Sequence, residues 1–187
     1  MPVPKIPDTE KILIVDSEIT CWAKNERDTE KMEIIEIGAI LVDRPTLGAI
    51  KEFQTFVKPV INPRLSSYCQ QLTSIKQMDI DSACPFPNAL GSLLEFCGNT
   101  NKLTLSTWGL NERAQLIQDC VRHGIDFPFA DIHFNIKELF VKKLGVRNCP
   151  LNKAVEITNL KFEGAFSRAL DDARYIHKIL QHLAQLE

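Results

Sequence analysis

The chain has 187 residues, and none of its apolar runs approaches the ~20 residues that a membrane-spanning helix requires, so no membrane role is expected. Its opening stretch, Met1 to Pro7, lacks the apolar core of a secretory signal, and a cytoplasmic location is the expectation. The 6 cysteines, at positions 21, 69, 84, 97, 120 and 149, form no Cys-x-x-Cys pair, and the 4 histidines fall at no zinc-ligand spacing with them. A zinc module is thereby excluded, and reduced, mostly buried thiols are expected in place of a disulfide framework. No internal repeat or low-complexity tract is present. A chain this long buries roughly 70% of its unfolded surface, enough for one unstapled domain.

What the sequence does contain is unevenly distributed. The net charge of -2 hides 13 Lys/Arg against 18 Asp/Glu in residues 1–136, and 9 against 5 in residues 137–178. A basic final third suits a polyanionic partner, while acids elsewhere suit a metal; a merely solvated helix face is the plainer alternative. Lys11–Val15, Ile34–Val42 and Ile50–Val57 read as three successive strands, hence an antiparallel meander, with residues 24–33 as a charge-rich loop. Helical spacing follows at 65–72 and 86–97, the latter opened by Pro85 and Pro87 and closed by Gly98. Residues 102–107 make another strand. Helices are predicted at 110–123, 136–144, from Pro150, and at 167–186, where the apolar stripe is longest. This alternation describes one α/β domain with a mixed sheet.

Three acidic segments stand out. Asp16 and Glu18 sit two apart at the end of the first strand, so both carboxylates share a face. Glu112 opens the helix after the Trp108-Gly109 turn. Asp171 and Asp172 lie on the last helix about 100° apart, so at most one faces a common site, and the apolar stripe does not choose between them. Like charges this close need a cation. Four carboxylates suit two divalent ions about 4 Å apart, the arrangement that stabilises in-line attack of water on phosphorus. Oxygen-only ligands suit Mg²⁺ or Mn²⁺.

The residues around these acids form a longer pattern. Ile14 to Trp22, Glu33 to Asp43, Phe53 to Pro59, Leu65-Ser66, Gln71 to Ile75, Thr107 to Leu116, Pro150 to Lys153 and Ser167 to Ala173 occur in order with compatible spacings. Together they resemble the DEDD superfamily of 3′–5′ exonucleases, the ribonuclease T and DNA polymerase III proofreading type. The branch most similar is that of histone-mRNA exonucleases and bacterial sporulation-inhibitor-type exonucleases, and the likeness spans residues 11–182 of one domain, 1–187.

The resemblance implies a ribonuclease-H-like fold: a mixed, mainly five-stranded sheet with helices on both faces. It also implies a divalent-metal-dependent 3′–5′ exonuclease releasing nucleoside monophosphates from single-stranded 3′ ends, RNA slightly ahead of DNA. By position, Asp16 and Glu18 match the first-motif metal ligands, and Asp172 rather than Asp171 matches the last. Two positions depart from the pattern. The second-motif aspartate falls on Glu112, one methylene longer, and the general-base histidine falls on Ser167, whose hydroxyl is neutral at pH 7. Loss of a general base costs typically 10²–10⁴-fold, so a second reading stays open: a catalytically degenerate relative that binds nucleic acid or a protein partner. Trp22, in the loop after the first motif, is a candidate for stacking on a base; Arg168 and Arg174 are candidates for phosphate contact. Trp108 reads as core, and His123, His133, His177 and His182 read as surface or satisfied histidines.

Overall fold

A computed structural model describes residues 2–23, 31–161 and 164–186. Three strands come first, β1 (Lys11–Ile19), β2 (Ile34–Asp43) and β3 (Ala49–Lys58), paired as the expected antiparallel meander. Two short helices, α1 (Ser67–Thr73) and α2 (Gln77–Asp81), lead to a two-residue strand β4 (Cys84–Pro85) and to α3 (Phe86–Cys97). The remainder runs β5 (Leu103–Thr107), α4 (Asn111–Arg122), β6 (His133–Asn135), α5 (Ile136–Leu144), α6 (Leu151–Thr158) and α7 (Ala169–Gln185).

The sheet has six strands in the order β4-β3-β2-β1-β5-β6, with β5 parallel to β1 and β6 parallel to β5. The mixed sheet is as expected, with one strand more than the five the resemblance implies; the two that the residue pattern does not show are the short β4 and β6 at its edges, too brief to show a period in sequence. The loop expected at 24–33 lies mostly outside the described residues. Its last members, Met32 and Glu33, are buried despite their charged surroundings.

β1 occupies the middle of the sheet and is covered on both faces, which is why Ile12 to Val15 reads as an unbroken apolar run and not as an alternation. Ile12 and Ile14 face one helical layer and pack with Phe140 of α5, Ala154 of α6 and Ile176 of α7. Leu13 and Val15 face the other layer, against Leu90 and Leu93 of α3 and Leu116 of α4. Asp16 and Glu18 therefore continue the row that faces α7. Asn135 caps α5 by accepting from the Glu138 amide at 3.1 Å, and Gly145, in the left-handed region, ends it. α7 starts at Ala169, where its apolar stripe begins and two residues later than the expected start at 167, because Ser167 has φ 61° and cannot belong to the helix.

Candidate active site

Two residues of β2 decide where α7 meets the sheet. Gly38 pairs with Asp16 across the β1–β2 ladder, and Glu36 pairs with Glu18. A Cβ at Gly38 would fall well under 3.0 Å from the backbone of Ala169 and Leu170, so the first turn of α7 rests directly on the strand. Glu36, with no exposed surface, accepts the Ala169 amide at 3.1 Å and so caps the helix from outside. Its charge is matched by Arg168, whose Nε and Nη2 donate at 2.8 to 3.3 Å in a forked pair. Gln54 also donates to Glu36.

Helix geometry does the rest. One turn beyond Ala169, Asp172 points back at β1, and Asp16, Glu18 and Asp172 each bring an oxygen within 4.8 Å of the other two. Asp171 turns away: it accepts the Ala165 amide at 3.1 Å and pairs with Arg174 at 2.8 Å. Asp172 keeps one oxygen on the Ser167 amide at 3.2 Å, while its Oδ1 is buried without a partner. Glu112, in the first turn of α4, stands outside this three-way cluster and also carries a buried, unpartnered oxygen, Oε2.

The electrostatics are those of acids crowded out of water. Burial, followed by the charges of Glu112, Asp172 and Glu18, holds the Asp16 carboxyl well above its usual range. Burial and the neighbouring Asp172 push Glu18 up to about 8, and burial pushes Asp172 up to about 7 against the help of the Ser167 amide. Glu112 is raised as well, mainly by burial, with Lys137 acting in the opposite sense. These groups cannot all ionise at neutral pH unless a cation joins them. Two orphaned carboxylate oxygens in an all-oxygen donor set fit a hard divalent ion.

On the other side of β1, Ser17 and Ile19 line a cavity of about 370 Å³ with Met32, Asn111, Glu112 and Gln115. Its size falls within the roughly 300–1,000 Å³ typical of small-molecule sites. Glu112 thus borders both the acid cluster and an open recess.

The other expected residues fall as follows. Ser167 sits beside Asp172 but offers only a hydroxyl and the amide already described. Trp22 is half-buried just past the end of β1. Arg168 is committed to Glu36, and Arg174 binds Glu52 at 2.5 to 3.2 Å besides Asp171, so both guanidinium groups are already engaged by carboxylates within the protein. Trp108 is core, packed edge-on against Phe140. Three histidines are occupied elsewhere: His177 on the Leu47 carbonyl, His133 on Thr107 and His123 stacked on Phe86. Sequence reasoning did not single out Glu36 or Gly38 as parts of the site. Their signal was available as a charged residue and a glycine two apart inside an otherwise apolar strand, the mark of a close backbone approach.

A mixed α/β sheet whose central strand delivers acids to the first turn of a packed helix defines the class: a ribonuclease-H-like 3′–5′ exonuclease fold with an acidic centre. The family follows from comparison. Residues 13–180 match the exonuclease family of the ribonuclease T type, and the chain belongs to it. It is 28% identical over 191 residues to the 3′–5′ exonuclease Snipper of Drosophila melanogaster, covering 90% of this chain and 67% of that one. It is 29% identical over 183 residues to 3′–5′ exoribonuclease 1 of Homo sapiens, covering 93% and 52%. The chain thus spans about half to two-thirds of the length of these relatives. Among solved structures, the nuclease domain of 3′hExo, a DEDDh family member bound to rAMP, superposes with a TM-score of 0.86 at 28% identity, covering 95% of this chain and 93% of that one. A 3′-exonuclease solved for 3′-end-specific recognition of the histone mRNA stem-loop gives 0.87 at 29% identity, covering 95% and 64%.

Proposed function

We propose that this domain hydrolyses single-stranded nucleic acid from its 3′ end in a reaction that depends on Mg²⁺ or Mn²⁺. The observation that carries the reading is the convergence of Asp16, Glu18 and Asp172 within 4.8 Å, two strand residues and one helix residue with raised carboxyls. A divalent ion bound there supplies positive charge that neutralises the carboxylates and polarises the scissile phosphate. Asp16, Glu18 and Asp172 would hold it, and Glu112, with its unpartnered oxygen, would serve a second ion. Water attacks phosphorus, the bond to the 3′ oxygen breaks, and a nucleoside 5′-monophosphate leaves a strand one residue shorter with a free 3′ hydroxyl.

RNA is the favoured substrate, since the human relative is named an exoribonuclease and one structural neighbour carries rAMP. Ser167 orients the attacking water without deprotonating it, so turnover is slow compared with a histidine-bearing site. Trp22 stacks on a base near the 3′ end, where an aromatic platform contributes ~1–3 kcal/mol. Arg174, with 41% of its side chain exposed, keeps a face toward backbone phosphate. We assign Arg168 to positioning α7 through Glu36.

The test is a gel time course on 5′-labelled RNA and DNA oligomers with Mg²⁺, Mn²⁺ or EDTA, alongside Asp16→Ala. A metal-dependent ladder shortening from the 3′ end, absent in Asp16→Ala, is the expected result. No ladder above that control at high enzyme with Mn²⁺ would overturn the reading and leave a domain that binds without cutting.

A further inference from the structure

The six cysteines are not equivalent. Cys97 and Cys120 are buried in the layer formed by α3 and α4, and burial pushes their thiols up to about 12 and about 11, which makes them poor nucleophiles. Cys21 and Cys69 differ in being in contact with each other. Cys69 lies on α1, fully buried, and its thiol is hydrogen-bonded with Cys21, which is half-buried and follows β1. One oxygen joins the two backbones: Ser66 Oγ accepts the Cys69 amide at 3.0 Å and donates to the Cys21 carbonyl at 2.5 Å. Cys69 Sγ donates in turn to the Ile19 carbonyl at 3.6 Å. Both residues pack in the same small apolar cluster with Ile35, Leu65 and Ile75. The two thiols therefore sit at the seam between α1 and the strand end that carries Glu18.

We propose that Cys21 and Cys69 are an oxidisable dithiol, and that closing it to a disulfide with hydrogen peroxide switches off the acidic centre next to it. The loss of activity rests on the exonuclease reading; the cross-link does not. Cys21 is the thiol that solvent reaches, so peroxide transfers one oxygen to it, giving a sulfenic acid and one water. The Cys69 sulfur then attacks the Cys21 sulfur, its proton and the sulfenic hydroxyl leave as a second water, and the S–S bond forms. Two thiols and one peroxide become one disulfide and two waters. Sulfur atoms in hydrogen-bond contact lie well beyond the ~2.05 Å of a disulfide. Closure therefore draws the two sulfurs together by more than ~1 Å; the part that side-chain rotation does not absorb pulls the end of β1 toward α1, and Glu18 is three residues from the point of traction. A displacement of that size at a reacting centre costs on the order of 100-fold.

The experiment treats the reduced full chain with hydrogen peroxide, alkylates the remaining thiols and maps the peptides by mass spectrometry. Nuclease rate and the Mn²⁺-induced rise in melting temperature are measured before and after dithiothreitol. The expected result is a Cys21–Cys69 cross-link two hydrogens lighter than the reduced peptides, with Cys97 and Cys120 alkylated after denaturation. The rate falls at least tenfold, the Mn²⁺ shift shrinks, and both recover on reduction. Cys21→Ser and, separately, Cys69→Ala keep rate and shift through the same treatment. A map without that cross-link, or a cross-linked protein that retains its Mn²⁺ shift, overturns the proposal. Should the reduced protein show no nuclease activity, the proposed function fails while the peptide map and the Mn²⁺ shift still decide this one.

Discussion

Gly38→Ala adds one methyl group on the strand beside Asp16 without changing any candidate ligand, and its effect on the site follows from the packing of α7. The new Cβ would lie well under 3.0 Å from the carbonyl carbon of Ala169 and the nitrogen of Leu170, both backbone atoms that cannot rotate aside. Non-bonded carbon atoms need ~3.5–4.0 Å, so the first turn of α7 must retreat by about 1.5 Å. Overpacking of this kind costs ~1–3 kcal/mol, and stretching the Glu36 cap on Ala169 adds to it. The same movement carries Asp172, one turn on, away from Asp16 and Glu18, for an expected loss on the order of 100-fold in hydrolysis. A 100-fold weaker ion lowers metal-induced stabilisation by about 2.7 kcal/mol at concentrations that saturate the wild type. The assay pairs thermal melts with and without Mn²⁺ with initial rates on an RNA oligomer. Gly91→Ala is the control: it lies inside α3 with nothing within 4 Å of the added Cβ, and alanine there should be neutral or stabilise by ~0.5–1 kcal/mol. A Gly38→Ala protein with wild-type rate and a wild-type Mn²⁺ shift would refute the claim that contact between α7 and β2 assembles the site.

Ser167→His should raise the hydrolysis rate at neutral pH by about two orders of magnitude, the low end of the 10²–10⁴-fold that a general base supplies; an unchanged or lower rate in single-turnover measurements sinks the assignment of that position. Without metal, Glu18 and Asp172 hold protons in the folded state up to about 8 and about 7 that the unfolded chain releases near 4.5 and 3.8. The folded state binds more protons across that window, so the melting temperature of the EDTA-treated protein should fall as pH rises from about 4.5 to about 8, and Mn²⁺ should remove most of the fall. A metal-free melting temperature that is flat or rising over the same range contradicts the crowding of the carboxylates. Arg168→Met strands the Glu36 carboxylate in the core and should cost ~3–5 kcal/mol in urea denaturation, much of it recovered by adding Glu36→Gln; a loss below ~1 kcal/mol would show that the pair is not what seats α7.

The sequence shows the acids more clearly than the device that gathers them. Asp16 and Glu18 are legible because period-2 geometry puts both on one face, and the apolar run before them marks a strand covered on both sides. Choosing Asp172 over Asp171 needed the family pattern, because a helical stripe leaves both beside its edge; the structure shows the physical reason in the Ala165 amide and Arg174, which hold Asp171 outward. Arg168 looks like a phosphate ligand in sequence, since nothing local announces a partner 132 residues away. Glu36 and Gly38 are that missing half: a non-local contact leaves only a charge and a gap in a strand. β4 and β6 escaped for a simpler reason, being two and three residues long and held by pairing instead of by their own pattern.

The candidate ligands lie at opposite ends of the chain, 16 and 18 against 172, and the last of them belongs to a helix seated by a buried cap and by its packing on the sheet. Any excursion that lifts α7 from β2 must dismantle the ion's coordination, and any bound ion must be released before the helix lifts. An ion held there would therefore oppose detachment of the C-terminal helix. Mn²⁺ should slow unfolding far more than it speeds folding, because its ligands meet only when the two ends of the chain have docked. A protease that cuts within α7 would then read metal occupancy directly, clipping the empty protein and sparing the loaded one.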